Sequence, residues 1–172
     1  MFRNCSSLVS LNISSFNTSK VKQMSNMFHG CSSLVTLDLS NFDASNVTAM
    51  KFMFNSCTNL TGLDLSSFDT SKITNMVAMF DGCVSLTDLD LSNFDTSKVT
   101  KTGSPYGMFY GCSNLKTIYV SDLWNMSSVT ASSNMFMNCK SLTGAVPFDS
   151  TKTDVSMANY TTGYLTYKKN TN

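Results

Sequence analysis

The chain has 172 residues, 12 Lys and Arg against 11 Asp and Glu, a net charge of +1, one His and six Cys. Charged residues are 13% where a soluble domain carries about a quarter, and Ser, Thr and Asn stand in for the missing charge. Without a Lys/Arg cluster there is nothing to neutralise phosphates or an anionic membrane, so no nucleic-acid partner is expected. No apolar run reaches the roughly 18 residues of a membrane span, which excludes direct membrane insertion by a helix. With one His and no metal-ligand spacing, the expectation is a protein that is not an enzyme and needs no cofactor.

Met-Phe-x-x-Cys occurs six times, at Met1, Met27, Met53, Met79, Met108 and Met135. The cysteines Cys5, Cys31, Cys57, Cys83, Cys112 and Cys139 follow at intervals of 26, 26, 26, 29 and 27 residues. A fixed period of this size predicts stacked repeats, in which each unit buries the open face of its neighbour. In the second unit Leu34-x-x-Leu37-Asp38-Leu39 alternates in-out-in and predicts one short strand. Equivalent strands would stack in parallel into a continuous sheet. Phe42 plugs the following corner, and Asp43-Ala44-Ser45 predicts a turn in which the carboxylate accepts a backbone N–H two residues on. Met50-x-x-Met53-Phe54-x-x-Cys57 has the i, i+3, i+4, i+7 spacing of an apolar helical face and predicts a short α or 3-10 segment.

Residues 1–141 therefore read as five full repeats and the start of a sixth, and residues 142–172 as a degenerate sixth repeat, C-terminal cap and polar tail within a single domain. The expected fold class is an α/β repeat, a right-handed leucine-rich-repeat-type solenoid of about six coils with one parallel sheet and short helical or 3-10 segments. Nothing ahead of Met1 covers the first coil, which points to fraying there or to end-to-end self-association. The final Lys168–Asn172 stretch is expected to fray.

The fourth unit carries three extra residues around Thr102–Gly107, a Gly/Pro loop. In the fifth, Tyr119 takes the outward strand position held elsewhere by Asn12, Asp38, Asp64 and Asp90. Counted from Cys112, Leu123 falls on the corner Phe and Trp124 on the turn Asp. The column after Met-Phe reads Arg3, His29, Asn55, Asp81, Tyr110, Met137, a variability that suggests a solvent-facing position.

The string Cys-x-x-Leu-x-x-Leu-Asp-Leu-Ser-x-Phe-Asp-Thr-Ser-Lys, seen from Cys57 and again from Cys83, resembles the BspA-like family of bacterial surface proteins, leucine-rich-repeat proteins also found among mycoplasma surface lipoproteins. The tail from Gly144 through Tyr164 resembles the segment that closes such arrays. The resemblance implies exposure at a cell surface or secretion, and adhesion to a host or microbial surface protein or glycan. It supplies no ligand.

The cysteine column is expected to be a structural ladder of buried, reduced thiols behaving as small hydrophobes, with disulfides or metal thiolates as the alternative. Asp38, Asp64 and Asp90 are the weak metal candidates: a cation such as Ca²⁺ would relieve their repulsion, but solvation at an exposed face does so as well. His29, alone in its column, is expected to be a surface residue. Tyr106, Tyr110, Tyr119 and Trp124, with Asp122, break the repeat and form the candidate ligand-binding patch, since exposed Tyr and Trp are enriched at energetic interfaces. The bland reading is that they cover the inserted loop. The expected function is a non-enzymatic surface module for adhesion or binding, with a passive stalk as the alternative.

Overall fold

The computed structural model describes residues 1–103 and 105–170. Every strand in it is short: β1 (Thr36–Leu37), β2 (Gly62–Leu63), β3 (Asp88–Asp90), β4 (Lys101–Gly103), β5 (Thr117–Val120), β6 (Ala131–Ser132) and β7 (Thr166–Tyr167). All pair in parallel, in three separate sheets ordered β1-β2, β3-β5-β7 and β4-β6.

This corrects the expected α/β leucine-rich-repeat solenoid. The chain is nearly all-β, its sheets are fragments of two or three strands instead of one continuous sheet, and no α-helix occurs among the described residues. The one helical element among the described residues is a 3-10 turn at Val155–Met157.

Backbone conformation explains why the Met-Phe-x-x-Cys segments are not helical. The residue before each cysteine lies in the left-handed region, with φ of 61° at Asn4, 72° at Gly30, 59° at Ser56, 73° at Gly82, 72° at Gly111 and 66° at Asn138. Asn26, Phe52, Ala78 and Asn134, each just before a Met, are left-handed too. A right-handed helix cannot pass through such residues. The segments instead form tight turns whose amides reach across to the next repeat: Phe28 donates to Met53 O and Gly30 to Asn55 O, and Phe54 and Ser56 repeat the pattern on Met79 O and Asp81 O, at 2.7–2.9 Å.

The strands end early for a related reason. Asp38, Asp64 and Asp90 each accept the N–H two residues on, from Ser40, Ser66 and Ser92, at 2.9–3.0 Å. Such a side-chain turn diverts the backbone from the ladder. Asp43, Asp69 and Asp95 make the expected second turn with Ser45, Ser71 and Ser97, each at 2.9 Å. Beside it, Thr18, Thr70 and Thr96 tie one repeat to the next: their buried hydroxyls donate to Asp43 O, Asp95 O and Asn125 O at 3.0–3.1 Å.

The core is a set of stacked columns. Phe2, Phe28, Phe54, Phe80, Phe109 and Phe136 lie face to face with ring centroids 5.6–5.8 Å apart. Tyr164 closes the stack edge-on at 5.4 Å, and its hydroxyl is held among Asp149 N, Asp149 O and Lys152 O. Gly144 permits this, because a Cβ there would lie 2.3 Å from the Tyr164 carbonyl carbon. In the last turn of the ladder the Phe136 amide donates to Thr153 O at 2.8 Å. In the tail expected to fray, Lys168 N–H donates to Val120 O at 2.8 Å; Thr171 and Asn172 lie outside the described residues, as does Ser104 of the inserted loop.

Candidate functional site

The outward faces of β1, β2 and β3, with the Ser10–Ser14 segment of the first repeat, form a trough. Three hollows of about 380, 730 and 190 Å³ share walls along it, from Asn12 past Asp38 and Asp64 to Asp90 and Lys168. The Asp38 and Asp64 carboxylates face it with one oxygen bound by their own turns, which holds the Asp38 carboxyl below its usual range. Asp90 forms an ion pair with Lys168. Burial raises the Asp90 pKa, but hydrogen bonds from Lys168 and Ser92 outweigh it, so the net shift is downward. Among the described residues no three or more His, Cys, Asp or Glu side chains gather as a metal-holding group.

At the Lys168 end the trough meets a cluster that the strand pairing assembles. β5 runs beside β7, matching Tyr119 to Thr166 and Val120 to Tyr167. The Lys168 ammonium lies 5.6 Å from the centre of the Tyr119 ring. The Tyr160 hydroxyl donates to Asp122 Oδ1 at 3.1 Å and the Tyr167 hydroxyl to Asp122 Oδ2 at 3.0 Å. The two rings are 5.1 Å apart and tilted by 54°. Donation to the Asp122 carboxylate holds both phenols above their ordinary pKa. Tyr167 is 45% exposed.

The candidate patch is thus divided. Tyr119 stands beside Lys168 at the trough end, and Asp122 three residues on meets the Tyr160 and Tyr167 hydroxyls. Tyr106 and Tyr110 pair edge-on at 5.7 Å beside the inserted loop, where Asn134 Nδ2 donates to Pro105 O at 3.0 Å. Trp124 is not a surface aromatic: it is 7% exposed and its indole N–H donates to Ala158 O at 3.0 Å. Its register also differs from the count off Cys112. Asn125, not Trp124, makes the side-chain turn, accepting from Ser127 N–H at 2.9 Å, so Trp124 occupies the corner held elsewhere by Phe42, Phe68 and Phe94. One extra residue between Tyr119 and Trp124 produces the shift and leaves Asp122 outside the repeat pattern.

The column after Met-Phe is not uniformly solvent-facing either. Asn55 is 6% exposed and donates to Asp81 Oδ2 at 2.7 Å, and burial pushes the Asp81 carboxyl up to about 6. His29 Nδ1 is buried without a hydrogen-bond partner. All six cysteines are free, Cys5 half-buried and the other five buried. Tyr160, Tyr167 and Lys168 were not singled out from the sequence as part of a site. Their aromatic and basic character in a polar tail was the one available signal.

Short parallel strands, left-handed turns and a polar trough define a nearly all-β chain. The chain belongs to the family described as Mycoplasma protein of unknown function, DUF285, whose sequence profile matches residues 1–116 and, in an overlapping second match, residues 56–172. No curated protein and no solved structure matches it.

Proposed function

We propose that this chain is a non-enzymatic binding module of a bacterial cell-surface protein, akin to BspA-like adhesins, which engages a host or microbial protein or glycan. The observation that carries the reading is the convergence of the Tyr160 and Tyr167 hydroxyls on Asp122 at 3.1 and 3.0 Å. Side chains already fixed in the free protein lose little entropy on contact with a partner, so they favour binding. The adjoining trough supplies further polar area, and its Asp38, Asp64 and Asp90 carboxylates are engaged in turns. Surface location rests on the resemblance of the Cys57 and Cys83 strings to that family.

The continuous Phe2–Phe136 stack favours a second reading, a rigid stalk that sets reach for recognition elsewhere in a longer protein. An array of matrix proteins, mucins and glycans, probed with the chain and with a Tyr160→Ala/Tyr167→Ala variant of equal thermal stability, separates the two. Saturable binding lost in the variant supports the module. No binding by either supports the stalk.

A further inference from the structure

The trough end already accommodates one cation. Lys168 places its ammonium against the Asp90 carboxylate and 5.6 Å from the Tyr119 ring centre, a carboxylate-plus-tyrosine arrangement that stabilises a positive charge through an ion pair and the ring quadrupole. A second arrangement of the same chemistry lies close by in the fold. Asp122 is exposed, follows Tyr119 on the same segment, and accepts from the hydroxyls of Tyr160 and Tyr167, whose rings pack on each other at 5.1 Å. Its two partners there are neutral hydroxyls. No basic side chain pairs with the carboxylate among the described residues, while the two hydroxyls hold it and both rings in place.

We infer that Asp122, Tyr160 and Tyr167 form a recognition site for a basic side chain, a lysine or arginine, on a partner polypeptide. Charge complementarity identifies the occupant. The carboxylates of Asp64 and Asp38 continue the same sign along the trough, so a basic segment approaching from that side meets no cation before Lys168. This deepens the binding-module reading and rests on it for its biological setting, but the site's chemistry is testable alone.

The probe is tetralysine amide, added to the full chain at low ionic strength, with tetraglutamine amide as the neutral control. The readout is the aromatic NMR signals of Tyr160 and Tyr167. The expected result is a saturable shift of those signals with tetralysine only, weakening with added salt. Asp122→Asn preserves shape and acceptor oxygen, and should weaken binding about fivefold; Tyr167→Leu, which removes one ring, should weaken it about threefold. Asp43→Asn, in an exposed turn outside the trough, should leave it unchanged. The inference is overturned if the wild-type tyrosine signals do not saturate, if the shifts centre on Asp38 and Asp64, or if Asp122→Asn binds as tightly as wild type. Array binding without a tetralysine response would sink this site while leaving the module reading intact; the reverse outcome would do the opposite.

Discussion

The Cys83 thiol donates a hydrogen bond to the carbonyl oxygen of Phe54, one repeat away, at 3.1 Å. The same bond joins Cys31 to Phe2, Cys57 to Phe28, Cys112 to Phe80 and Cys139 to Phe109, at 2.8–3.1 Å. The cysteine column is therefore a fastener between repeats as well as a filler of the core. Burial drives these thiols upward in pKa, to about 12 at Cys57 and Cys139, and the thiolate is the reactive species. In the native protein an aromatic disulfide reagent at pH 8 should titrate Cys5 alone of the six, and the other five only after unfolding. Two or more fast thiols before unfolding would show that the column is open. Cys83→Ala should cost about 2 kcal/mol in denaturant unfolding, because it leaves the Phe54 carbonyl unpaired beside a small cavity.

The repeat period, the apolar columns and the Asp43-type turns were legible because each is carried by residue type at fixed spacing. The Met-Phe-x-x-Cys segment misled because i, i+3, i+4, i+7 apolar spacing is also met by a turn that points the same side chains inward. The discriminating signal was the column Asn4, Gly30, Ser56, Gly82, Gly111 and Asn138, rich in the residues that tolerate positive φ. Trp124 misled through a one-residue shift that the distance from Cys112 does not mark. The Asp122 cluster was only half legible, since the path of the tail alone brings Tyr160 and Tyr167, 38 and 45 residues away, to that carboxylate.

Two glycines test the left-handed turn directly. At Gly82, φ is 73° and a Cβ would be no closer than 3.6 Å to any neighbour, so Gly82→Ala introduces backbone strain without a clash. It should destabilise by about 1–2 kcal/mol. Gly62, in β2, has open space around its Cβ position and no positive φ. Gly62→Ala should be neutral or stabilising by about 0.5 kcal/mol, since it restricts the unfolded chain. Equal effects of the two substitutions in urea unfolding would contradict the assigned backbone.

Ala44 interrupts the buried threonine column between Thr18 and Thr70. Its neighbours in that column tie successive repeats together through their hydroxyls, whereas Ala44 is fully buried and has none to offer. Ala44→Thr should restore a bond to the Asp69 backbone and raise stability by about 1 kcal/mol. A loss of stability would mean that the second repeat packs too tightly there for a hydroxyl and a methyl.

Asp81 makes stability depend on pH. Its folded pKa, about 6, lies above the ordinary carboxylate value because burial disfavours the charge. The folded state therefore binds the proton more tightly than the unfolded state. The carboxyl is best tolerated below about pH 4, and stability falls as pH rises from about 4 to 6. Solvent screening at this half-buried site limits the loss to about 1 kcal/mol. Asp81→Asn should flatten that part of the profile and be the more stable protein at pH 8; an unchanged slope would assign it to other groups.

Trp124 reports on the contact between the fifth repeat and the C-terminal segment. It is the chain's one tryptophan, it is 7% exposed, and its indole N–H donates to Ala158 O at 3.0 Å. Native emission should be blue-shifted and resist iodide quenching, as a surface indole would not. Because Phe fills this corner in other repeats, Trp124→Phe should keep the packing and lose about 1–2 kcal/mol with the Ala158 bond. Trp124→Ala removes the ring itself and should cost about 3–5 kcal/mol. Since Ala158 precedes Tyr160 by two residues, loosening this contact should also release Tyr160 from Asp122, visible as a fall of the Tyr160 phenol pKa toward its ordinary value in the Trp124→Ala protein. Retention of the raised value would show that Asp122 holds the tyrosine independently of the indole.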